Sequence, residues 1–254
     1  MEQITSLRNP KVIFWKSLRD RKARDAAGVF FVEGVRMVRE ALESSFPVEA
    51  VLVREDFSPL PEEIKKTPVY SMPEHVFNSI CETKTPQGIA AIVRRRVLPP
   101  EGKRLLALDG VQDPGNVGTL IRTADAAGFD GLLLSPDCAD PFSPKVLRSS
   151  MGSIFRMGIS IPSSLPEALD ELKSRGWSVL SSQLDGEPFY ERKNVAPSFV
   201  LIIGNEGNGV SPAVQATATH RLRLPMRGGA ESLNAAVAAG IMMYELMKDS
   251  SPDD

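Results

Sequence analysis

The sequence predicts an α/β protein with two units, a smaller amino-terminal one and a carboxyl-terminal one that holds a mostly parallel sheet. Three observations support this prediction. Apolar stretches of strand length alternate with helical stretches along the whole chain. Two prolines and a glycine in VLPPEGKR, residues 97–104, interrupt any regular element. Downstream of them, glycine-rich turns follow three apolar strands.

The first unit is expected to span residues 1–96, and a linker over 97–103 leads to a second unit over 104–254. Strands separated by helices predict a sheet with helical cover in the first unit. The predicted elements are a helix over 9–24, a strand over 30–34, a helix over 35–44, a strand over 48–55, a helix beginning near Pro73 and a strand over 89–95.

The second unit repeats strand and helix in turn, which predicts a mostly parallel sheet covered on both faces. Ligands of such sheets bind at the carboxyl ends of the strands. The predicted strands are 105–109, 131–135, 156–160, 177–183, 198–207 and 221–225, and the predicted helices are 114–128, 143–153, 165–176, 211–218 and 232–248.

Composition narrows the class of protein. Of 254 residues, 42% are hydrophobic, so a core can be buried. No apolar run approaches the roughly 20 residues that cross a bilayer, and the amino terminus lacks a signal-peptide pattern. Two cysteines without metal-ligand spacing indicate reduced thiols of a cytoplasmic protein. With only two histidines, His75 and His220, we expect no metal site and no histidine-centred triad. Because no apolar run is long enough, we also expect no membrane partner.

Positive charge clusters near the amino terminus although the net charge is only −2. Seven basic side chains between Arg8 and Arg24 stand against one acid, Asp20, which is compatible with contact to an RNA backbone. A solvated helix face explains the same pattern equally well. The residues of this cluster expected to contact RNA are Arg19, Arg21, Lys22 and Arg24.

The first glycine-rich turn is DPGNVGTLIRTADAAG. Asp113 can cap the exposed amides of a helix that has Pro114 in its first turn, and its core face runs over 117–124. Arg122 lies off that apolar stripe. It either forms a weak surface ion pair with Asp125 or holds a phosphate above the strand ends.

The second turn is IIGNEGNGVS, where Gly204, Gly207 and Gly209 follow the most hydrophobic strand. Such glycines suggest positive φ and close approach of the backbone to a ligand. The order G-x-x-G-x-G is a poor dinucleotide fingerprint. Glu206 either braces the loop through hydrogen bonds or orients a cation or a substrate hydroxyl.

The third turn is LPMRGGAESLNAAVAAG, and it leads into the final helix. Ser232 or Glu231 can cap that helix. Leu224, Met226 and Leu233 supply apolar surface beside exposed backbone. Apolar walls with main-chain hydrogen-bonding groups suit a flat base such as adenine.

Together the three stretches resemble, in order and spacing, the signature motifs of the SpoU/TrmH-type RNA ribose 2′-O-methyltransferases of the SPOUT superfamily. The resemblance covers residues 104–248. The amino-terminal third, including TKTPQGIAAIV (83–93), is similar to the small ribosomal-protein-like RNA-binding domain that precedes the catalytic domain in many members. The matching positions are Asn116 and Arg122, Gly204 and Glu206, and Ser232 and Asn234.

The resemblance implies a deep trefoil knot, a rare exception to unknotted topology, with S-adenosylmethionine bound in it and no metal. It also implies a homodimer in which the first motif's arginine and asparagine lie near the partner subunit. The cofactor-binding residues implied are Ile203, Gly204, Leu224, Met226 and Leu233.

The implied reaction transfers a methyl group from a sulfonium to a ribose 2′-hydroxyl. The family's mechanism places Arg122 at the target phosphate, where it helps to activate the hydroxyl, while Glu206 orients Arg122 or the substrate. Asn116, Ser232 and Asn234 would fix the ribose, phosphate and loops. Arg227 departs from the family pattern at a variable position of the third motif, and we expect it to add a phosphate contact.

The amino-terminal unit and its basic cluster favour ribosomal RNA, most of all 23S, over transfer RNA as substrate. The alternatives are a tRNA 2′-O-methyltransferase and a non-catalytic RNA-binding protein. A Rossmann-type nucleotide enzyme is disfavoured because the glycines come late and in the wrong order.

Overall fold

The computed structural model describes residues 1–64, 67–96 and 101–248, so residues 97–100 of the expected linker lie outside the described part. The described chain divides into two compact units. The first contains its residues up to Arg96 together with Phe142–Arg156, and the second contains 101–141 and 157–248. A segment that comes late in the chain is therefore part of the first unit.

The first unit holds a mixed sheet in the order β1-β4-β3-β5-β2. Neighbours β1, β4 and β3 pair in parallel, whereas β5 is antiparallel to both β3 and β2. The strands are β1 Glu2–Gln3, β2 Val29–Glu33, β3 Val48–Arg54, β4 Val69–Met72 and β5 Ile89–Arg94, and the helices are α1 Pro10–Ser17, α2 Arg21–Ala27, α3 Val35–Glu43, α4 Glu74–Ile80 and, from the late segment, α6 Pro144–Ser150.

The helix expected over 9–24 is two helices. The side chain of Asp20 accepts a hydrogen bond from the amide of Lys22 and thereby caps the start of α2. Arg24 does not belong to an exposed basic surface, as the charge pattern had suggested, because its side chain is only 3% exposed. Its guanidinium donates to the carbonyls of Leu18 and Arg19, 2.7 Å away in each case, and so satisfies the end of α1.

Aromatic rings join the late segment to the rest of the first unit. Phe142 lies with its ring centroid 4.9 Å from that of Phe30, and Phe155 lies 5.4 Å from Phe46. All four rings are buried. Phe30 and Phe46 therefore complete their packing only with residues that are distant in the chain.

The second unit holds a parallel sheet in the order β11-β9-β10-β6-β7-β8, which confirms the predicted architecture. The strands are β6 Arg104–Asp109, β7 Gly131–Leu134, β8 Gly158–Ser160, β9 Ser178–Pro188, β10 Phe199–Gly204 and β11 His220–Arg223, and the helices are α5 Pro114–Ala127, α7 Leu165–Ser174, α8 Pro212–Gln215 and α9 Ala235–Met247.

Parallel pairing places the three glycine-rich turns at one edge of this sheet. Gly204 at the end of β10 pairs with Asp109 at the end of β6, and β11 reaches the same edge beside β9. The predicted start of α5 is confirmed, because Asp113 caps it and Pro114 is its first residue. The core face predicted for α5 is buried, and its residues are Val117, Leu120, Ile121 and Ala124.

We predict that Phe142→Ala lowers the free energy of unfolding of the first unit by about 3–5 kcal/mol, the usual cost of emptying a phenylalanine site in a core. The two tryptophans allow the units to be read separately, since Trp15 is in the first unit and Trp177 in the second. Urea unfolding of a Trp177→Phe background, followed by the fluorescence of Trp15, measures the effect.

Leu60→Ala is the control, because Leu60 is in the same unit but 39% exposed, and it should change this free energy little. If Phe142→Ala left the Trp15 transition where it was, the late segment would not contribute to the stability of the first unit.

Candidate active site

A cavity of about 390 Å³ lies at the carboxyl ends of β10 and β11, beside the middle of β9. This is the edge where ligands of parallel sheets bind, and the volume falls within the roughly 300–1,000 Å³ typical of small-molecule sites. Residues 182–185 and 203–210 form much of its wall. The other lining residues are Gln215, Leu224, Met226, Ser232, Leu233, Ala235 and Ala238.

All five residues expected to bind the cofactor line this cavity: Ile203, Gly204, Leu224, Met226 and Leu233. The sequence reasoning missed the contribution of β9, since it ended that strand at Gln183. Pairing between β9 and β11 shifts register, so that Arg221 faces Ser181 whereas Leu222 faces Glu187. The residues between those two partners bulge out of the ladder, and Ser182 to Asp185 reach the cavity.

The loop after β10 is held in one shape by its own polar groups. Asn205 and Gly209 exchange backbone hydrogen bonds of 2.9 Å, and the Asn205 side chain donates to the carbonyl of Gly110 at 2.8 Å. Of the loop's three glycines only Gly209 has a positive φ, of 69°. Gly204 is needed for another reason, because a Cβ there would lie 2.2 Å from the backbone of Gly209.

Glu206 braces the first motif against the second. Its carboxylate accepts hydrogen bonds from the Asn116 side chain at 2.9 Å and from the amides of Gln112 and Asp113 at 3.2 Å. Partial burial works against ionisation, but the bonds from Asn116 and the backbone outweigh it. The pKa of Glu206 therefore lies below its ordinary value.

Asn234 joins the third motif to the other two. Its side-chain nitrogen donates to Oδ1 of Asn116 at 3.1 Å. Its oxygen accepts from the amides of Ala236 and Val237, so Asn234 is the N-cap of α9. The expectation that Ser232 or Glu231 caps this helix was wrong, because α9 begins three residues later than the sequence suggested.

Arg122 and Arg227, the two arginines expected to contact a phosphate, do not belong to this hydrogen-bond network. Arg122 is exposed, and within the described residues it forms neither the ion pair with Asp125 nor a hydrogen bond to Glu206 that the sequence had suggested. Neither Arg122 nor Arg227, also exposed, lines the cavity. The structure thus brings Glu206 and Ser232 to the cavity, links Glu206 to Asn116 and Asn116 to Asn234, and leaves Arg122 outside.

The cavity offers the groups that an adenosine-containing cofactor needs. Leu224, Met226 and Leu233 provide apolar wall, and the glycine loop at 204–209 provides main-chain polar groups. Within residues 1–64, 67–96 and 101–248, no cluster of His, Cys, Asp or Glu is arranged to hold a metal ion. In the same part of the chain, no helix is both long and apolar enough to span a membrane.

Residues 103–244 match the SpoU rRNA Methylase family, and residues 9–91 match the MRM3-like substrate binding domain. The chain belongs to the SpoU rRNA methylase family. The methyltransferase fold and the substrate-binding unit predicted from the motifs are confirmed, and so is the enzyme class, RNA 2′-O-methyltransferase.

Relatives match over almost the whole chain. The 23S rRNA (guanosine(2553)-2′-O)-methyltransferase RlmP of Bacillus subtilis is 41% identical over 97% of this chain and 99% of its own length. The AdoMet-bound rRNA methyltransferase from Sinorhizobium meliloti is 32% identical, with a TM-score of 0.88 and 98% of each chain covered. AviRb from Streptomyces viridochromogenes in complex with AdoMet is 29% identical, with a TM-score of 0.85 over 95% of this chain and 98% of its own. S-adenosylmethionine, the cofactor predicted from the motifs, is confirmed.

We predict that Glu206→Gln destabilises the second unit by about 1 kcal/mol at pH 7, because an amide oxygen cannot accept from all three donors. The loss stays this small because the site is partly solvated. The folded-state pKa of Glu206 is lowered, so its stabilising effect is complete above the ordinary value of 4.5 and is lost as the pH falls through the lowered pKa. Urea unfolding of a Trp15→Phe background, followed by the fluorescence of Trp177 from pH 7 to pH 3, measures this.

Glu231→Gln is the matched control, because Glu231 is an exposed carboxylate with no hydrogen bond to any described residue. It should unfold like the unmodified protein at every pH. A destabilisation by Glu206→Gln that stayed constant down to pH 3 would show that the charge of Glu206 plays no part.

Proposed function

We propose that this enzyme methylates a ribose 2′-hydroxyl of 23S ribosomal RNA in the cytoplasm. The observation that carries the proposal is the Asn116 amide, which holds Glu206 and Asn234 beside a cofactor-sized cavity. The choice of 23S rRNA rests on the full-length likeness to a relative that modifies it. Transfer RNA is the alternative substrate, and an assay that compares methylation of the two RNAs distinguishes it from 23S rRNA.

The chemistry asks the chain to deprotonate a very weak acid and to hold it in line with a methyl group. S-adenosylmethionine supplies that methyl on a sulfonium. Leu224, Met226 and Leu233 exclude water from the cofactor's apolar parts. The cavity wall holds the methyl group in line with the hydroxyl, so the reaction step does not carry the entropy cost of an encounter in solution. Ser232, at the cavity surface, positions the ribose through its hydroxyl.

Arg122 acts on the target phosphate. A guanidinium stays protonated, so its role is to hold the phosphate and to stabilise the developing alkoxide, while the proton of the 2′-hydroxyl passes to solvent water. Glu206 does not orient Arg122, since its carboxylate is occupied by Asn116 and two backbone amides. We therefore assign Glu206, Asn116 and Asn234 as positioning residues that fix the three loops.

A second copy of the chain completes the site. Val237, Ile241 and Tyr244 recur at helical spacing on α9 and form an apolar stripe that Leu233, just before the helix, extends; all four are 38–56% exposed. Exposed apolar stripes of this kind mark interfaces between proteins. Because α5, which carries Arg122, packs against α9, a dimer joined through the stripe would bring Arg122 to the partner's cavity. Arg227, exposed beside Met226, adds a phosphate contact there.

We predict that the purified protein and S-adenosylmethionine add one 2′-O-methyl group to unmodified 23S rRNA, which ribose-methylation mapping by sequencing locates. The control is unmodified bulk tRNA in the same assay. Methylation of tRNA with none on 23S rRNA would contradict the proposed target, whereas methylation of neither, together with failure to bind S-adenosylmethionine by calorimetry, would contradict the activity.

We predict that Arg122→Ala lowers methylation by about 10²-fold or more, the usual cost of removing one transition-state donor, and leaves S-adenosylmethionine affinity within a few-fold. Met226→Trp, which fills the cavity, should block cofactor binding. A heterodimer of the two variants, isolated with two affinity tags, should regain about half of the unmodified activity because one site is then complete. Heterodimers as inactive as their parents would place Arg122 in its own chain's site.

A further inference from the structure

The folded chain uses part of the basic cluster for its own stability. Arg24 is buried, and the guanidinium of Arg19 donates to the carbonyls of residues 79–81 at the end of α4, at 2.6–3.0 Å. The head group of Arg24 is therefore not a surface charge, and that of Arg19 is held by backbone carbonyls although the residue is exposed. Arg8, Arg21 and Lys22 remain exposed around α1 and the start of α2.

The outward side of α1 carries apolar side chains that the core does not need. Val12 and Trp15 face inwards and are buried, whereas Ile13 is 57% and Phe14 40% exposed. Leu7, just before the helix, is 45% exposed. An exposed aromatic ring with aliphatic neighbours costs solvation free energy, and exposed cations stand on both sides of α1 along the chain, so the segment is suited to a ligand that has both apolar and anionic parts.

We propose that this surface, formed by Leu7, Arg8, Ile13, Phe14, Arg21 and Lys22 and here named the α1 surface, binds unpaired nucleotides of the RNA substrate. Phe14 stacks on one base, Leu7 and Ile13 contact its edges, and the three cations hold adjoining phosphates. The inference rests on the proposed RNA substrate and goes beyond it, since it names the face that engages RNA and the single-stranded form that it prefers.

The charges on the α1 surface favour RNA over a protein occupant. Acids of this part of the chain are already engaged, because Glu2 pairs with Lys11, Asp20 caps α2, and Asp25 pairs with Arg21 and Arg95. The pair between Arg21 and Asp25 is long, at 3.7 Å, and exposed, so a phosphate competes with it easily. A second copy docked on the same face would bring like charges together, which disfavours self-association there.

The experiment compares full-length variants by fluorescence anisotropy with a labelled oligouridine of roughly 16 nucleotides, the upper size of one stacking site, and with its duplex. Phe14→Ala should weaken binding of the single strand about tenfold and leave duplex binding unchanged. Phe14→Tyr should bind the single strand as the unmodified protein does, because it keeps the aromatic ring. The double variant Arg21→Ala/Lys22→Ala should weaken binding of both the single strand and the duplex. For the single strand, the slope of log affinity against log salt concentration should become shallower by about 1.4, the value for two lost phosphate contacts.

Leu60→Ala, an exposed apolar loss in the same unit, is the control and should bind RNA as the unmodified protein does. S-adenosylmethionine binding is measured for every variant, so loss of the proposed activity is separated from loss of this surface. Equal RNA affinity of Phe14→Ala and Leu60→Ala overturns the inference and leaves the proposed methyltransferase standing. A change in molar mass on Phe14→Ala without a change in RNA affinity would assign the α1 surface to a second copy and also overturn it.

Discussion

The carboxamide of Asn116 is the constraint on which the site depends. Its nitrogen donates to Glu206 and its oxygen accepts from Asn234, so one side chain fixes three loops that are about 90 and 118 positions apart in the chain. Two of these groups also satisfy helix ends, since Asn234 caps α9 and Glu206 receives the amides that precede α5. An amide is suited to this task because it offers a donor and an acceptor at the same time, which neither a carboxylate nor an ammonium can do.

This arrangement separates rigid from open parts of the site. The glycine loop and the start of α9 are fixed by hydrogen bonds before any ligand arrives, so little ordering cost remains for the cofactor. Arg122, by contrast, is outside the network and exposed. Preorganised walls beside an exposed cation outside the network fit a reaction in which charge develops only once the RNA is in place.

Local signals in the sequence were enough for elements whose cause is local. Asp113 and Pro114 predict the start of α5, and the apolar runs of β6 and β10 predict buried strands. The start of α9 could not be chosen locally, because Glu231, Ser232 and Asn234 are all good caps and the bond to Asn116 decides between them. The burial of Arg24 depends on the carbonyls of Leu18 and Arg19, which are close in the chain but are left open only because the expected single helix is divided after α1. The bulge in β9 depends on a partner strand far along the chain. The trefoil knot, which the resemblance implies, stays a prediction.

The late segment Phe142–Arg156 has a consequence for how such proteins can be recombined. A chimaera that exchanged only residues 1–96 would place foreign side chains where Phe30 and Phe46 meet Phe142 and Phe155. The inherited module is therefore discontinuous, and a successful exchange has to carry both pieces of sequence. Substitutions at Phe30 and Phe46 should accordingly be coupled in their effect on stability to substitutions at Phe142 and Phe155.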